Sequence, residues 1–164
     1  MPTLTFQRTI SAPPETIFDL CRSIDFHLQA AQTIKARAIA HRTTGLAQLH
    51  DQTTYSASFF GLRFRLTTRI TTCESPHTLT DEMVQGLFKT FSHHYTLRTT
   101  PKGTLLQDRF TFIAPLGPFG HLLETLFLSP VMTKAQNERL DAIQIEAQKK
   151  TTGNSERYQA NNHS

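Results

Sequence analysis

The stretch "IAPLGPFGHLLETLFLSPVM", Ile113 to Met132, carries a single formally charged side chain. Its twenty residues match the length that spans a bilayer. Whether it is an anchor or part of a packed interior decides the fold. Pro115, Gly117, Pro118 and Gly120 crowd its first half, and each weakens or ends a helix. Glu124 stands near its centre, where a carboxylate costs roughly 3 kcal/mol in an inserted helix. The stretch therefore reads as the end of a strand, a Pro/Gly turn, and an apolar helix from about Phe119 inside a soluble fold.

Downstream, that helix is expected to run to about Gln148, broken at Ser129–Pro130, a fresh N-cap and first helical position. The residues beyond it, "KKTTGNSERYQANNHS", lack aliphatic anchors and read as a disordered polar tail, 149–164. Upstream the texture is that of strands. "GTLLQDRFTFIAP", "FKTFSHHYTLRTT" and "TLTDEMVQG" are separated by turn signals at Pro101–Gly103 and Gly86. "TTYSASFF" and "LRFRLTTRITT" flank Gly61 and predict a hairpin. In the second of these, Leu62, Phe64, Leu66 and Ile70 alternate with Arg63, Arg65 and Arg69. "KARAIA" is a further short strand. At the start, "LTFQRTI" alternates as a half-buried strand, and "SAPPETIFDLC" opens a helix with proline in its first turn and Ile17, Phe18 and Cys21 on one face. Asp25 is the expected cap of a second short helix, "FHLQAAQTI". The order is strand, two helices, six strands and a long helix. This is an α+β architecture in which a curved seven-stranded antiparallel sheet wraps the C-terminal helix.

Composition agrees with one domain over residues 1–148. "MPTLTFQRTI" has no apolar core of signal-peptide length. Cys21 and Cys73 match no zinc or redox spacing, so free thiols and a cytoplasmic location are expected. The net charge of +4 is mild.

Five pieces carry a resemblance: "ISAPPETIFDLC" after the first strand, "FFGLRFRLTTRIT", "DEMVQGLFKTFSHHY", "TLLQDRFTFIAPLGPFG" and "LFLSPVM…NERL". Together they span roughly residues 4–145. They resemble the START-like superfamily, also called SRPBCC or Bet v 1-like, in its bacterial polyketide cyclase/dehydrase branch. The resemblance implies a helix-grip fold with a cavity between sheet and long helix for an apolar or amphipathic ligand. It implies no particular reaction, since one scaffold hosts many functions.

Strand phase singles out three ionisable residues. Arg8 is in phase with Leu4, Phe6 and Ile10, His93 with Phe91, Tyr95 and Leu97, and Asp108 with Leu106, Phe110 and Phe112. In the topology that the resemblance implies, the first, last and penultimate strands are neighbours, so Arg8, Asp108 and His93 would meet inside the cavity. Buried charges are expensive unless paired. One reading is a buried ion pair with a satisfied histidine that fixes strand register. The other is a polar anchor for a ligand, or a proton-transfer site with His93 and Asp108 as catalytic candidates. The apolar wall is assigned to Phe64, Leu66, Phe91, Tyr95, Phe110, Leu123 and Phe127. The helix face Leu122, Leu123, Leu126 and Phe127 is read mainly as core.

Adjacent His93 and His94 point to opposite faces, and no spacing fits a metal; no cofactor is called for. The leading expectation is a soluble protein that holds a lipid, isoprenoid, quinone or polyketide. It needs no nucleic acid and no transmembrane segment, and it allows transient membrane contact. A polyketide cyclase/dehydratase-type enzyme using the same cavity is the alternative. A regulatory protein acting through the Arg63, Arg65 and Arg69 stripe is another.

Overall fold

In the computed structural model of the chain, β1 (Thr3–Ile10) sets apolar residues towards the interior and threonines towards solvent. The structure describes residues 3–30, 32–59, 61–115 and 117–161, without the side chains of 59, 62, 123 and 155–161. The inward assignments of Leu62 and Leu123 thus lie outside the described side chains. Pro13 is extended, and Pro14 opens α1 (Pro14–Arg22), which buries Ile17, Phe18, Leu20 and Cys21. α2 (Ile24–Ala30) follows at once. Its cap is not Asp25 but Ser23, whose hydroxyl oxygen accepts the Phe26 amide at 3.3 Å. Asp25 instead accepts the Gly45 amide at 2.7 Å and ties α2 to the loop beyond.

Six more strands complete one antiparallel sheet: β2 (Arg37–His41), β3 (Gln52–Phe59), β4 (Leu62–Glu74), β5 (Thr78–Gly86), β6 (Thr90–Thr100) and β7 (Gly103–Ile113). Their spatial order is β1-β7-β6-β5-β4-β3-β2. The β3–β4 hairpin closes at Gly61, whose φ of 75° suits a residue without Cβ. Bulges between Thr67 and Thr68 and between Ile70 and Thr72 interrupt the β4–β5 ladder and add local twist. The sheet curves so that its inner face is covered by α1, α2 and the C-terminal helix.

After β7 the apolar stretch forms α3 (Gly117–Leu123), a single π-helical turn (Glu124–Leu128) and α4 (Ser129–Asn161). The break at Ser129–Pro130 is as expected. Glu124, the one charge in the stretch, is buried, and its carboxylate accepts the Ala114 amide and faces His121 Nδ1 at 3.3 Å. It latches the helix to the end of β7. A Cβ at Gly120 would collide with the Pro115 carbonyl, which explains glycine at that buried turn. Two expectations need correction. α4 continues to Asn161, so the polar segment after Gln148 is helical there rather than disordered. The face Leu122, Leu126 and Phe127 is not core: these side chains are about half exposed. Among the described residues, no helix is long and apolar enough to cross a membrane.

Candidate functional site

The register of the sheet determines what meets inside. Phe6 lies opposite Asp108, and Asp108 opposite Tyr95; Phe110 lies opposite His93, and His93 opposite Asp81. Asp108 and His93 are therefore diagonal neighbours on adjacent inner-face positions, within reach of long side chains. His93 Nε2 is 2.5 Å from Asp108 Oδ1, with both side chains buried. With the carboxylate as acceptor, Nε2–H is the donor. The other ring nitrogen, Nδ1, faces the Tyr95 hydroxyl at 3.3 Å and an Asp81 oxygen at 4.0 Å.

α4 lies across this group and presents Met132, Gln136 and Arg139, spaced four and three residues apart on one helical face. Arg139 is buried, its guanidinium carbon 5.2 Å from the centre of the Tyr95 ring, a cation–π distance. One terminal nitrogen donates to the Cys21 carbonyl at 2.8 Å. Three buried polar atoms have no hydrogen-bond partner among the described residues: Arg139 Nε, Gln136 Oε1 and Asp108 Oδ2.

Beside them is a cavity of about 130 Å³. Phe64, Leu66, Phe88, Phe91, Phe110 and Met132 form its apolar wall, and His93, Asp81, Gln136 and Arg139 its polar one. Burial dominates the electrostatics. It pushes the Cys21 thiol and the Tyr55 phenol up to about 12, and the Tyr95 phenol well above its ordinary value. It raises the Asp81 carboxyl, partly offset by His93 and Arg139. His27, its ring centre 5.5 Å from that of Tyr55 and tilted against it, is held well below the imidazole range, first by burial and then by Arg139 and His93. Burial disfavours the Arg139 cation, yet its pKa is raised, with the Asp108 and Asp81 carboxylates among the groups that favour the charge. The interior thus holds neutral thiol and phenols around one retained guanidinium.

Of the residues expected at the site, Phe64, Leu66, Phe91, His93 and Phe110 line the cavity. Tyr95 and Asp108 are buried just behind that wall, joined through His93. Arg8 is not with them. On edge strand β1 it is half-exposed and turns to α4, meeting Asn137 Oδ1 at 3.2 Å and Asp141 Oδ1 at 3.4 Å. A guanidinium there keeps its water, whereas the interior position demands full desolvation. Phe127 is also corrected: it lies outside the cavity, 49% exposed. The interior cation is Arg139, which strand phase could not find because it lies on a helix. Its signal was the spacing Met132, Ala135, Arg139, Ile143 within one apolar stripe. Arg63, Arg65 and Arg69 are exposed on β4, and Arg69 pairs in register with Glu82. Among the described residues, no three His, Cys, Asp or Glu side chains converge as a metal site.

A curved antiparallel sheet gripping a long helix over a cavity defines the helix-grip class. The chain belongs to the family described as polyketide cyclase/dehydrase and lipid transport, whose model matches residues 10–144. Solved structures share the fold at low identity. TTHA0849 from Thermus thermophilus is 16% identical, with 89% of this chain and 97% of that one covered and a TM-score of 0.71. A START superfamily protein from Mycobacterium smegmatis is 14% identical, with 90% and 97% covered and a TM-score of 0.65. Major latex-like protein 151 from Panax ginseng is 11% identical, with 89% and 97% covered and a TM-score of 0.60. No curated protein matches the chain.

Proposed function

We propose that this protein binds and carries a compact amphipathic molecule in the cavity between the sheet and α4. The observation that carries the reading is the pairing of an aromatic wall with two unpartnered buried polar atoms, Arg139 Nε and Gln136 Oε1. The first is a donor in need of an acceptor, and the second an acceptor in need of a donor. A hydroxyl or phenol supplies both, and a carboxylate supplies the first. The free volume of about 130 Å³ is below the roughly 300–1,000 Å³ of drug-sized sites but near that of a cavity that takes up benzene. A single ring or a short isoprenoid fits it better than a long acyl chain. Free thiols at Cys21 and Cys73 accord with the cytoplasm as its setting.

Mass spectrometry of organic molecules extracted from the purified protein tests the reading. The expected result is a compact amphiphile with a hydroxyl or carboxyl group, lost from Arg139→Met protein that still folds. A long-chain lipid held equally well by Arg139→Met would overturn it.

The buried His93–Asp108 pair at 2.5 Å favours a second reading, an enzyme of cyclase or dehydrase type. In that reading His93 moves a proton to or from the cavity and Asp108 orients the ring. Conversion of the captured molecule by the parent protein and not by His93→Gln would establish it. The present geometry favours binding, because Nε2 is committed to Asp108 while Nδ1 faces Tyr95 and Asp81.

A further inference from the structure

One end of the molecule collects exposed apolar side chains from separate elements. On α3 and the π turn these are Phe119 (65% exposed), Leu122 and Leu126, spaced on one face. From the β5–β6 hairpin come Val84 and Leu87. The sheet register places the hairpin there: Thr90 pairs with Ile113 and Gly86 with Leu66, and the Lys89 amide donates to the Ile113 carbonyl at 2.8 Å. The β3–β4 hairpin runs a few residues past the end of β5 on this side, and the Ser58 amide donating to the Ile34 carbonyl brings in residues 32–37.

The charges at this end have one sign. Segments 32–37, 59–66, 83–92 and 112–123 contain Lys35, Arg37, Arg63, Arg65 and Lys89, all exposed, and no Asp or Glu. Of the nearby acids, Glu124 holds the Ala114 amide, and Glu138 accepts from both the Thr33 amide and its hydroxyl; Glu82, exposed at the border of this end, lies in register with Arg69 and Ser92. The cavity reaches this same end, where Leu87 of the β5–β6 hairpin is an exposed member of its wall.

We infer that this end docks on the surface of an anionic lipid bilayer, with Phe119, Leu122 and Leu126 at the headgroup boundary and the bases against lipid phosphates. Exposed apolar side chains among five exposed bases, with Glu82 the one exposed acid at their border, match an anionic surface. Docking would set the cavity mouth against the bilayer. The inference rests on surface composition and stands apart from the identity of any ligand.

The test is co-sedimentation of the full chain with vesicles of phosphatidylcholine alone and of phosphatidylcholine mixed with phosphatidylglycerol. Binding is expected to the mixed vesicles, much less to the neutral ones, and to fall as salt rises. F119S/L126S should lose binding. Arg63→Gln and Lys89→Gln should each weaken it by about fivefold, which corresponds to ~1 kcal/mol per base. Arg98→Gln, towards the opposite end of the sheet, should not change it. Circular dichroism melts establish that each variant is folded. Equal binding to both vesicle types, no binding, or variants that bind like the parent would overturn the inference. So would self-association that F119S/L126S abolishes in a protein that ignores vesicles, because the occupant would then be a second copy of the chain.

Discussion

Asp108 has no exposed surface, and its carboxylate lies 2.5 Å from His93 Nε2. Removing one member of a buried pair strands the other, at a typical cost of roughly 3–5 kcal/mol. Asp108→Ala should therefore lower stability to urea by about that amount. Arg8→Ala breaks a pair whose members are 33% and 61% exposed, and should cost less than about 1 kcal/mol. In a double-mutant cycle, Asp108→Ala and His93→Ala should couple strongly, and Asp108→Ala and Arg8→Ala should add. Additivity in the first cycle would reject the buried dyad. His27 gives a pH prediction with a definite sign. Its pKa in the folded protein is depressed, whereas an unfolded chain takes up that proton near pH 6.5. The stabilisation is present above about pH 6.5 and is lost as pH falls towards the folded value, at no more than ~1.4 kcal/mol per pH unit. His27→Gln cannot take up the proton, so its urea midpoint should fall less than the parent's on acidification. An identical pH profile would count against His27 as the source.

At the scale of elements, four strands were legible because they alternate over enough residues to define a face, as Phe91, His93, Tyr95 and Leu97 do on β6, and the other three from their composition and the turn signals beside them. The two helix starts were legible from local chemistry, Pro14 at one and Pro130 at the other. Three features were not. The Ser23 cap was missed because Asp25, a residue equally suited to capping, is drawn away by the Gly45 amide. The π turn has no sequence signature of its own. The far end of α4 has no apolar periodicity to extend the helix, yet nothing there ends it either, Gly153 included. That extension has a testable consequence. Ala147 is the last residue of α4 in the core, and the described side chains from Lys149 to Asn154 are partly or fully exposed. Residues 151–164 contain no Val, Ile, Leu, Met or Phe, so deleting them removes little that could bury apolar area. The melting temperature should stay within error of the full chain. A fall of several degrees would mean that the last turns pack against the domain.

For the molecule as a whole, element order followed from the residues and sheet topology from the family resemblance, and the free volume inside followed from neither. Volume depends on how residues distant in the chain fill the space between two layers, and on Phe88 and Phe91, whose ring centres are 5.7 Å apart. The same limit misplaced Phe127. Its helical phase put it on an inward face, but the π turn rotates that phase before α4 begins. A ligand test at this scale must therefore use the actual wall. Leu66 lines the cavity on β4, and Leu66→Trp adds bulk directly into it. A gap of about 130 Å³ leaves its lining short of dispersion contacts, so a molecule that fills it should stabilise the fold. At a free concentration about a hundred times its dissociation constant, linkage gives roughly 2.7 kcal/mol. For a chain of this size that is a rise in melting temperature of roughly 5–10 °C. A thermal-shift screen of phenols and short isoprenoid alcohols against their hydrocarbon counterparts should give saturable shifts for the hydroxylated members. Leu66→Trp should abolish those shifts while remaining folded, and Phe127→Trp should leave them unchanged. Shifts that survive Leu66→Trp and vanish in Phe127→Trp would move the binding site out of the cavity and onto the exposed face of the π turn.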